Sequence, residues 1–391
     1  MSWIKNIFLI LASTVVSLFI LEIGLRVIYP TKVDVQVRDH SDPLLPKHLS
    51  GTHIHQIRNS IATFDNSGMR VNPIQCEQGK TVNTLLVGDS NIAGLFLNDS
   101  ETLGAKITEQ SLENELCINV DTFGVSGFGP DQTLFAIEHL TKKKIYDFVI
   151  FHIFADNDLG DLIRNNNYVN DRLINPGYCF AQRSLLEGFL TYKVTRKALY
   201  VFGIDINLYG TAVSSNGLDN NCMIVPHPNF ENFAASLYAR AKLDWQVNRR
   251  NQRQIYMGDK YDIEFACNSN EEVRIYANQY LNRVILEASE IANQRKFKLV
   301  YLIQPSEIDV TNNHPERLDK GCDQYSPKNL SQFFVKALSG LSYINLYKSF
   351  LNCNTCYFTK EELGSDNHWS PYGVNLAASN PVQFITQNTS Q

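Results

Sequence analysis

The sequence predicts an α/β domain with a doubly wound, mostly parallel sheet between two layers of helices. Five short apolar runs indicate this, because near-continuous apolar runs bounded by turn residues are typical of strands buried on both faces. They lie at 81–87, 117–123, 147–154, 298–303 and 342–347. Between them, apolar residues recur at the three- and four-residue spacings of amphipathic helices, at 103–116, 131–143, 273–295 and 327–338. Strands and helices that alternate in this way indicate parallel βαβ units.

Residues 1–30 are predicted to be a single-pass membrane anchor. No charged residue occurs between Ile7 and Leu21, and the apolar pattern continues past Glu22 and Arg26 as far as Tyr29. A helix from Ile7 to Tyr29 is long enough to cross the hydrocarbon core of a lipid bilayer, which is about 30 Å thick. The alternatives are a cleaved signal peptide and a buried core helix. No small-x-small cleavage site follows the run, which disfavours cleavage.

Charge does not fix the orientation of this anchor. The amino group and Lys5 precede the apolar run, whereas Arg26, Lys32 and Arg38 lie at or beyond its end. The excess of basic residues that marks a cytoplasmic flank is therefore not on the N-terminal side.

The cysteines leave the compartment open. The chain has eight, an even number that permits disulfides outside the cytosol without requiring them. Cys353 and Cys356 form a single CxxC without a second pair or a nearby histidine, so the sequence does not predict a zinc site. A local disulfide and two separate thiols are both compatible with the pattern.

The rest of the chain divides into a connector and one α/β domain. Residues 31–80 are predicted to be a polar, irregular connector, and residues 81–385 the α/β domain. The stretch 165–270, rich in Asn, Tyr and Arg, fits the alternation poorly and is interpreted as an insertion or lid, with a separate second domain as the alternative. The formal net charge of -5 argues against a nucleic-acid-binding protein, which usually presents a basic surface.

Two polar clusters follow the first two predicted strands, at the edge where open α/β sheets bind ligands. Ser90 follows Gly88 and Asp89 and is predicted to begin a helix, where free backbone N–H groups stabilise negative charge. A helix-capping serine is the alternative. After the second strand, the glycines of segment 124–132, Gly127 among them, allow the backbone to approach a bound group closely. A simple turn is the alternative there.

Two further clusters follow the third strand and precede the last helix. Asn157 lies in the sequence ADND at 155–158, and its amide can donate two hydrogen bonds to an oxyanion. Asp366 and His368 lie before the final helical pattern. A carboxylate two residues from an imidazole can fix the tautomer of that ring, as the base of a nucleophilic serine requires. A structural histidine is the alternative.

Taken in order, these residues resemble the four sequence blocks of the SGNH (GDSL-like) hydrolases. The matching residues are the serine of block one, the glycine of block two, the asparagine of block three and the Asp-x-His of block four: Ser90, Gly127, Asn157, Asp366 and His368. The segments EIGLR at 22–26 and NSGMR at 66–70 also resemble membrane-anchored bacterial members of the family. The resemblance implies a flavodoxin-like three-layer fold.

Three features depart from the family pattern. Asn91 follows the serine where many members carry an apolar residue, and Asp156 stands where block three commonly has glycine. The last block is D-x-H-W, which resembles polysaccharide O-acetyltransferase-like members, whereas many secreted esterases have D-x-x-H. The choice between hydrolysis and acyl transfer therefore stays open.

The resemblance implies two-step acyl chemistry that needs no metal or organic cofactor. His368, oriented by Asp366, would take the proton of Ser90 as the hydroxyl attacks an ester carbonyl. The Ser90 N–H, the Gly127 N–H and the Asn157 side chain would stabilise the oxyanion.

The expected function is that of a membrane-anchored serine esterase on the extracytoplasmic (periplasmic) side. Its expected substrates are acyl esters, above all acetyl esters, of small molecules or of envelope or extracellular polysaccharide. The alternatives are a polysaccharide O-acyltransferase with the same residues, and a catalytically inactive envelope or carbohydrate-binding protein.

Overall fold

The computed structural model describes the sheet, most of its helices and parts of the N-terminal region. The described residues are 6, 13–14, 16–24, 38–39, 47–48, 50–54, 58–74, 76, 81–114, 116–165, 168–169, 172–173, 271–310, 329–351, 353–358 and 368–389. Asp366 therefore lies outside the described residues, as does most of the insertion predicted at 165–270.

The chain divides into two compact units. One unit comprises Met1–Asp34 and Gly177–Met223, and the other comprises Val35–Pro176 and Ile224–Gln391. In the first, residues 16–24 are helical. Within the described part of the chain, which covers the predicted anchor only in pieces, no helix has the length and hydropathy that crossing a membrane requires.

The second unit begins with two short antiparallel strand pairs, inside the stretch expected to be an irregular connector. The first pair is β1 (Arg38–Asp39) with β2 (Lys47–His48), and the second is β3 (Gly51–Ile54) with β4 (Ile61–Phe64). The following residues reach the main sheet, because the Arg70 backbone N–H donates to the carbonyl oxygen of Thr122 at 2.8 Å.

The main sheet confirms the predicted α/β arrangement. Its strands, all parallel, are β5 (Thr81–Gly88), β6 (Cys117–Gly124), β7 (Phe148–Phe154), β10 (Lys298–Gln304) and β11 (Tyr343–Asn345). The intervening β8 (Tyr168–Val169) and β9 (Arg172–Leu173) form a separate antiparallel pair at the start of the predicted insertion. All seven residues of β7 are buried, as its continuous apolar run predicts.

The spatial order of the strands gives the sheet a topological switch point. The order is β11-β10-β7-β5-β6, which reads 2-1-3-4-5 from the β6 edge when β5 is counted as the first strand. The chain leaves β5 towards one side of the sheet and leaves β7 towards the other. In open α/β sheets, ligands bind beyond the carboxyl ends of the strands at such a switch point.

Helices cover both faces of the sheet. In chain order they are α1 (Ser90–Ala93), α2 (Leu103–Leu112), α3 (Pro130–Leu140), α4 (Asp158–Asn165), α5 (Glu271–Arg295), α6 (Glu307–Val310), α7 (Asn329–Ala337), α8 (Tyr347–Phe350) and α9 (Pro371–Thr389). Helices α3, α5 and α7 share one buried apolar cluster, and α2, α8 and α9 share the other. These two clusters are the two cores of a three-layer domain.

The helices and strands of the α/β domain begin and end within a few residues of their predicted bounds, and the last strand differs for a local reason. The last strand is shorter than the pattern at 342–347 suggests, because α8 begins at Tyr347. The side chain of Asn345 accepts a hydrogen bond from the Tyr347 N–H at 2.9 Å. This local bond favours a turn over a longer strand.

Candidate active site

Three of the predicted site residues follow three neighbouring strands. Ser90 follows β5, Gly127 follows β6 and Asn157 follows β7, with β5 in the middle of the three. Because these strands are parallel, their carboxyl ends lie at the same edge of the sheet. The serine and the asparagine flank the switch point described above.

Ser90 is the first residue of α1, a helix of a single turn. The Asp89 side chain caps this helix, since its Oδ1 accepts a hydrogen bond from the Asn91 N–H at 2.9 Å. Gly94, with a φ of 58°, ends the helix in the left-handed conformation. The half-buried Ser90 hydroxyl makes no hydrogen bond to another described residue, and thus none to His368. Such bonds are often long before substrate binds.

Close packing explains two glycines around the serine. A Cβ on Gly88 would lie 2.6 Å from the Ile92 side chain and 2.8 Å from that of His152. A Cβ on Gly124 would lie 2.1 Å from the backbone nitrogen of Ala93. Gly124 therefore lets α1 pack on the end of β6, a role that the sequence did not assign to it.

Gly127 occupies the turn that follows β6. Its φ is 75°, in the left-handed region that favours glycine. The residue is exposed, so its backbone borders solvent at the sheet edge.

Side-chain and backbone hydrogen bonds fix the turn that contains Asn157. Asp158 Oδ2 accepts a hydrogen bond from the Phe154 N–H at 2.9 Å, and the Asn157 carbonyl accepts one from the Asp161 N–H at 2.8 Å. Asp156 is buried and accepts a hydrogen bond from the Ser306 hydroxyl, beyond the end of β10. The aspartate that replaces the common glycine thus links two strand ends.

A short bridge holds the segment that contains His368. Phe358 donates its N–H to the His368 carbonyl at 3.0 Å, and Ser370 donates its N–H to the Cys356 carbonyl at 2.9 Å. Cys356 also forms a disulfide with Cys353, which settles the question left open by the CxxC pattern. His368 is therefore fixed on its backbone side by a disulfide-closed loop.

Asn91 connects this segment to the helix of the nucleophile. Its Oδ1 accepts a hydrogen bond from the Trp369 N–H at 3.3 Å. Near the same point, the ring of Phe96 lies edge-on to that of His368, with 4.7 Å between centroids. The structure thus places the segment of His368 against α1 and the loop after it, whereas Asp366 lies outside the described residues.

A buried polar network, which the sequence did not reveal, lies at the switch point. His152 Nδ1 lies 3.6 Å from Asp89 Oδ1, and His152 Nε2 lies 2.9 Å from Gln304 Oε1. Burial lowers the pKa of His152, and the Asp89 carboxylate opposes this effect only in part, so the ring is neutral at pH 7. The signal was a histidine and a glutamine inside otherwise apolar strands.

The buried guanidinium of Arg70 binds the end of α1 and the loop that follows it. Its Nη1 donates to the carbonyls of Ala93 and Gly94 at 2.7 and 2.8 Å, and its Nη2 donates to the Leu97 carbonyl at 2.7 Å. Arg70 Nε also pairs with Asp99 Oδ1 at 2.8 Å. The NSGMR segment thus touches the site region through its last residue.

The chemistry of this arrangement is that of polar side chains and backbone donors. Among the described residues, no group of three or more His, Cys, Asp or Glu is placed to hold a metal ion. A serine at a strand end, a neighbouring backbone turn, an asparagine and a histidine are the groups that acyl transfer to a hydroxyl nucleophile requires.

Comparisons with known proteins give a distant structural likeness. The sequence matches no protein-family model and no curated protein sequence. One solved structure shares 10% identity with a TM-score of 0.34, over 78% of this chain and 96% of its own. At this level the assignment of the site depends on the chain's own residues. The protein is also similar, with 10% identity and a TM-score of 0.34 over 78% of this chain and 98% of the other, to a member of the lipolytic protein G-D-S-L family from Veillonella parvula.

Proposed function

We propose that this protein is a serine hydrolase that cleaves ester bonds, with Ser90 as the nucleophile. The observation that carries the proposal is a hydrogen bond between two segments that are far apart in the sequence. The hydrogen bond from Trp369 to Asn91 joins residues 278 positions apart, and it sets the segment of His368 against the helix of Ser90. A structural histidine remote from the serine would need no such link.

In the proposed mechanism, His368 removes the Ser90 proton as Oγ forms a bond to the ester carbonyl carbon. The carbonyl oxygen becomes an oxyanion, stabilised by the Ser90 N–H, the Gly127 N–H and the Asn157 side chain. The tetrahedral intermediate expels the alcohol, which takes the proton from His368. Water then attacks the carbonyl carbon of the acyl-serine and gives a proton to His368. The second tetrahedral intermediate expels Ser90 Oγ, which takes this proton back from His368 as the acid is released. Asp366 orients the imidazole throughout.

We propose a membrane-anchored enzyme whose catalytic domain lies outside the cytoplasm. In the helical residues 16–24 most large apolar side chains are exposed, among them Phe19 at 65% and Ile20 at 64%, as a lipid-facing surface would be. Two disulfides occur within the described residues, Cys76–Cys117 and Cys353–Cys356. Disulfides persist in oxidising compartments and are rare in the cytosol. Both observations support this location.

The proposed substrates are acetyl esters on envelope or extracellular polysaccharide. A tethered enzyme acts on substrates near the membrane surface. The type of bond cleaved, an acyl ester, is inferred from the resemblance of the sequence blocks to the SGNH hydrolases. The exposed Gly127 supports access by a large substrate, because the oxyanion side of the site borders solvent.

Labelling with a fluorophosphonate probe tests the nucleophile. We expect the full-length protein to become labelled and Ser90→Ala to remain unlabelled, because the probe phosphonylates only an activated serine. Ser379→Ala is the matched control, since Ser379 is an exposed serine on α9. Equal labelling of wild type and Ser90→Ala would exclude Ser90 as the nucleophile.

Product analysis then tests the reaction. We expect acetate from an acetylated glycan in water alone, with a rate reduced by roughly 10³-fold or more in Ser90→Ala, as in other serine triads. Acetyl transfer that occurs only with an acceptor glycan present would identify an acyltransferase instead.

A further inference from the structure

We infer that His152 is a positioning residue for the nucleophile, holding the Asp89 carboxylate in place at the N-terminus of α1, whose first residue is Ser90. The inference rests on the proposed function, because it gives His152 a part in the attack by Ser90.

The geometry places His152 directly against the turn that carries the serine. A Cβ on Gly88 would lie 2.9 Å from His152 Nδ1, so the ring touches the backbone at the end of β5. Asp89, the next residue, approaches the same nitrogen to 3.6 Å. On its other side the ring meets Gln304 at 2.9 Å. The three polar side chains come from β7, the end of β5 and β10, which are adjacent in the sheet.

The buried carboxylate needs a donor that its own helix does not supply. Asp89 is 2% exposed, and one of its oxygens accepts the Asn91 N–H. Within the described part of the chain, its Oδ2 has no hydrogen-bond partner. Buried carboxylates are costly unless donors surround them. Among the described residues, the basic side chain within 4 Å of this carboxylate is His152. Its Nδ1 lies 3.6 Å from Oδ1 and also has no hydrogen-bond partner there, so a small movement would pair the two groups.

The neutral ring carries a single N–H, and the carboxylate determines where it lies. With the hydrogen on Nδ1, the ring presents a donor to Asp89. With the hydrogen on Nε2, a lone pair would face the carboxylate at close range. The Gln304 amide presents either its oxygen or its nitrogen after a half-turn. In the structure the amide oxygen faces Nε2 at 2.9 Å, so the first arrangement, which we assign, requires the half-turn that lets the amide nitrogen donate to Nε2.

Three polar or aromatic neighbours of His152 lie within the described residues. Helix α1 contributes Asp89 at its cap, β10 contributes Gln304, and the segment before α9 contributes the Trp369 ring, 5.5 Å away between centroids. Of these three neighbours only Asp89 carries charge. A one-turn helix has little stability of its own, so the position of Ser90 depends on this cap and its support.

Two amide variants separate the two ring nitrogens. The side-chain amide of asparagine occupies the place of Nδ1, whereas that of glutamine reaches the place of Nε2. His152→Asn therefore keeps a donor towards Asp89, and His152→Gln keeps only a partner for Gln304. His152→Leu removes both. The readout is the second-order rate of Ser90 labelling by the fluorophosphonate probe, measured on the full-length protein in detergent.

We expect His152→Gln and His152→Leu to label roughly tenfold more slowly or worse, because small displacements of a reacting group are costly. We expect His152→Asn to restore most of the wild-type rate. Ile150→Val is the matched control, since Ile150 is a buried residue two positions earlier on β7. It should lower the melting temperature without slowing the labelling. In an Asp89→Asn background, His152→Leu should cause no further loss of rate.

The outcomes distinguish this inference from the proposed function. Asn, Gln and Leu variants that all label like wild type, or that all slow in proportion to their loss of melting temperature, would overturn the role of His152. A wild-type protein that does not label contradicts the serine mechanism instead. The coupling between Asp89 and His152 is then measured from the melting temperatures of wild type, Asp89→Asn, His152→Leu and the double variant. Additive losses of melting temperature would overturn the pairing.

Discussion

Asn91 shows how one side chain links two distant parts of the site. It is 4% exposed, and its Oδ1 accepts the Trp369 N–H while its own N–H binds the Asp89 carboxylate. An apolar residue at this position would leave the buried Trp369 N–H without its partner. The polar residue is therefore explained by the segment it binds, which is far away in the sequence.

His152 makes the stability of the folded protein depend on pH. Burial lowers the pKa of His152 in the folded protein, whereas in the unfolded chain it returns to about 6.5. Below that pH the unfolded chain binds a proton that the folded chain does not. The free energy of unfolding therefore falls as pH decreases from about 6.5 towards the folded pKa, by up to about 1.4 kcal/mol per pH unit. Above about pH 6.5 the ring is neutral in both states, so this loss of stability is absent.

Urea unfolding at pH 7.5 and pH 5.5 checks this sign in the wild type and in His152→Gln. We expect the wild type to lose more stability on acidification than the variant, because glutamine does not titrate. An equal loss in the two proteins would show that the buried ring is not neutral.

At the scale of elements, a buried guanidinium joins three segments. Arg70 binds the end of α1 and the loop after it, and it pairs with Asp99, which begins the 3-10 turn before α2. Its backbone binds β6. A lysine could not reproduce these contacts, because arginine presents its donors in a planar fork.

Loss of this guanidinium should destabilise the domain strongly. We expect Arg70→Met to lower the free energy of unfolding by about 3–5 kcal/mol, since it removes one partner of a buried charged network. The comparison is Lys144→Met, which breaks a more exposed ion pair with Asp121 and should cost about 1 kcal/mol or less. Denaturant unfolding measures both. Similar small losses in the two variants would show that the Arg70 contacts contribute little.

The elements were predictable from the sequence where their pattern is local. The strand β7 is apolar except for His152, and helix α3 repeats its apolar residues every three or four positions. Most side-chain contacts of Arg70 were not predictable, because those with the end of α1, the loop after it and Asp99 join residues 23 to 29 positions apart. The partner of His152 was equally hidden, since Gln304 is 152 residues away.

At the scale of the whole molecule, the sequence predicts that the candidate site lies at the carboxyl edge of the sheet, and Ser90, Gly127 and Asn157 follow three strands at that edge. The four polar clusters follow strands or precede the last helix, and parallel strands bring such positions together. What the pattern could not give is the strand order, which depends on tertiary packing. The place of Asp366 stays a prediction, because it lies outside the described residues.

The orientation of the chain is a prediction at this same scale. We expect a C-terminal fusion to a reporter that is active only in the cytoplasm to be silent, and a fusion to one that requires disulfides to be active. The two disulfides of the domain give the reason, since they need an oxidising compartment. Strong signal from the cytoplasmic reporter would place the domain on the other side.

The hydrogen bond between Asn91 and Trp369 also has a consequence for the timing of activity during synthesis. The serine enters the growing chain 278 residues before the histidine segment, and that segment is followed by α9. Helix α9 packs in the same apolar cluster as α2, with Trp369 buried beside it. On the proposed mechanism, a nascent chain whose α9 has not yet left the ribosome holds Ser90 without its base. Activity towards esters would then begin only when α9 docks.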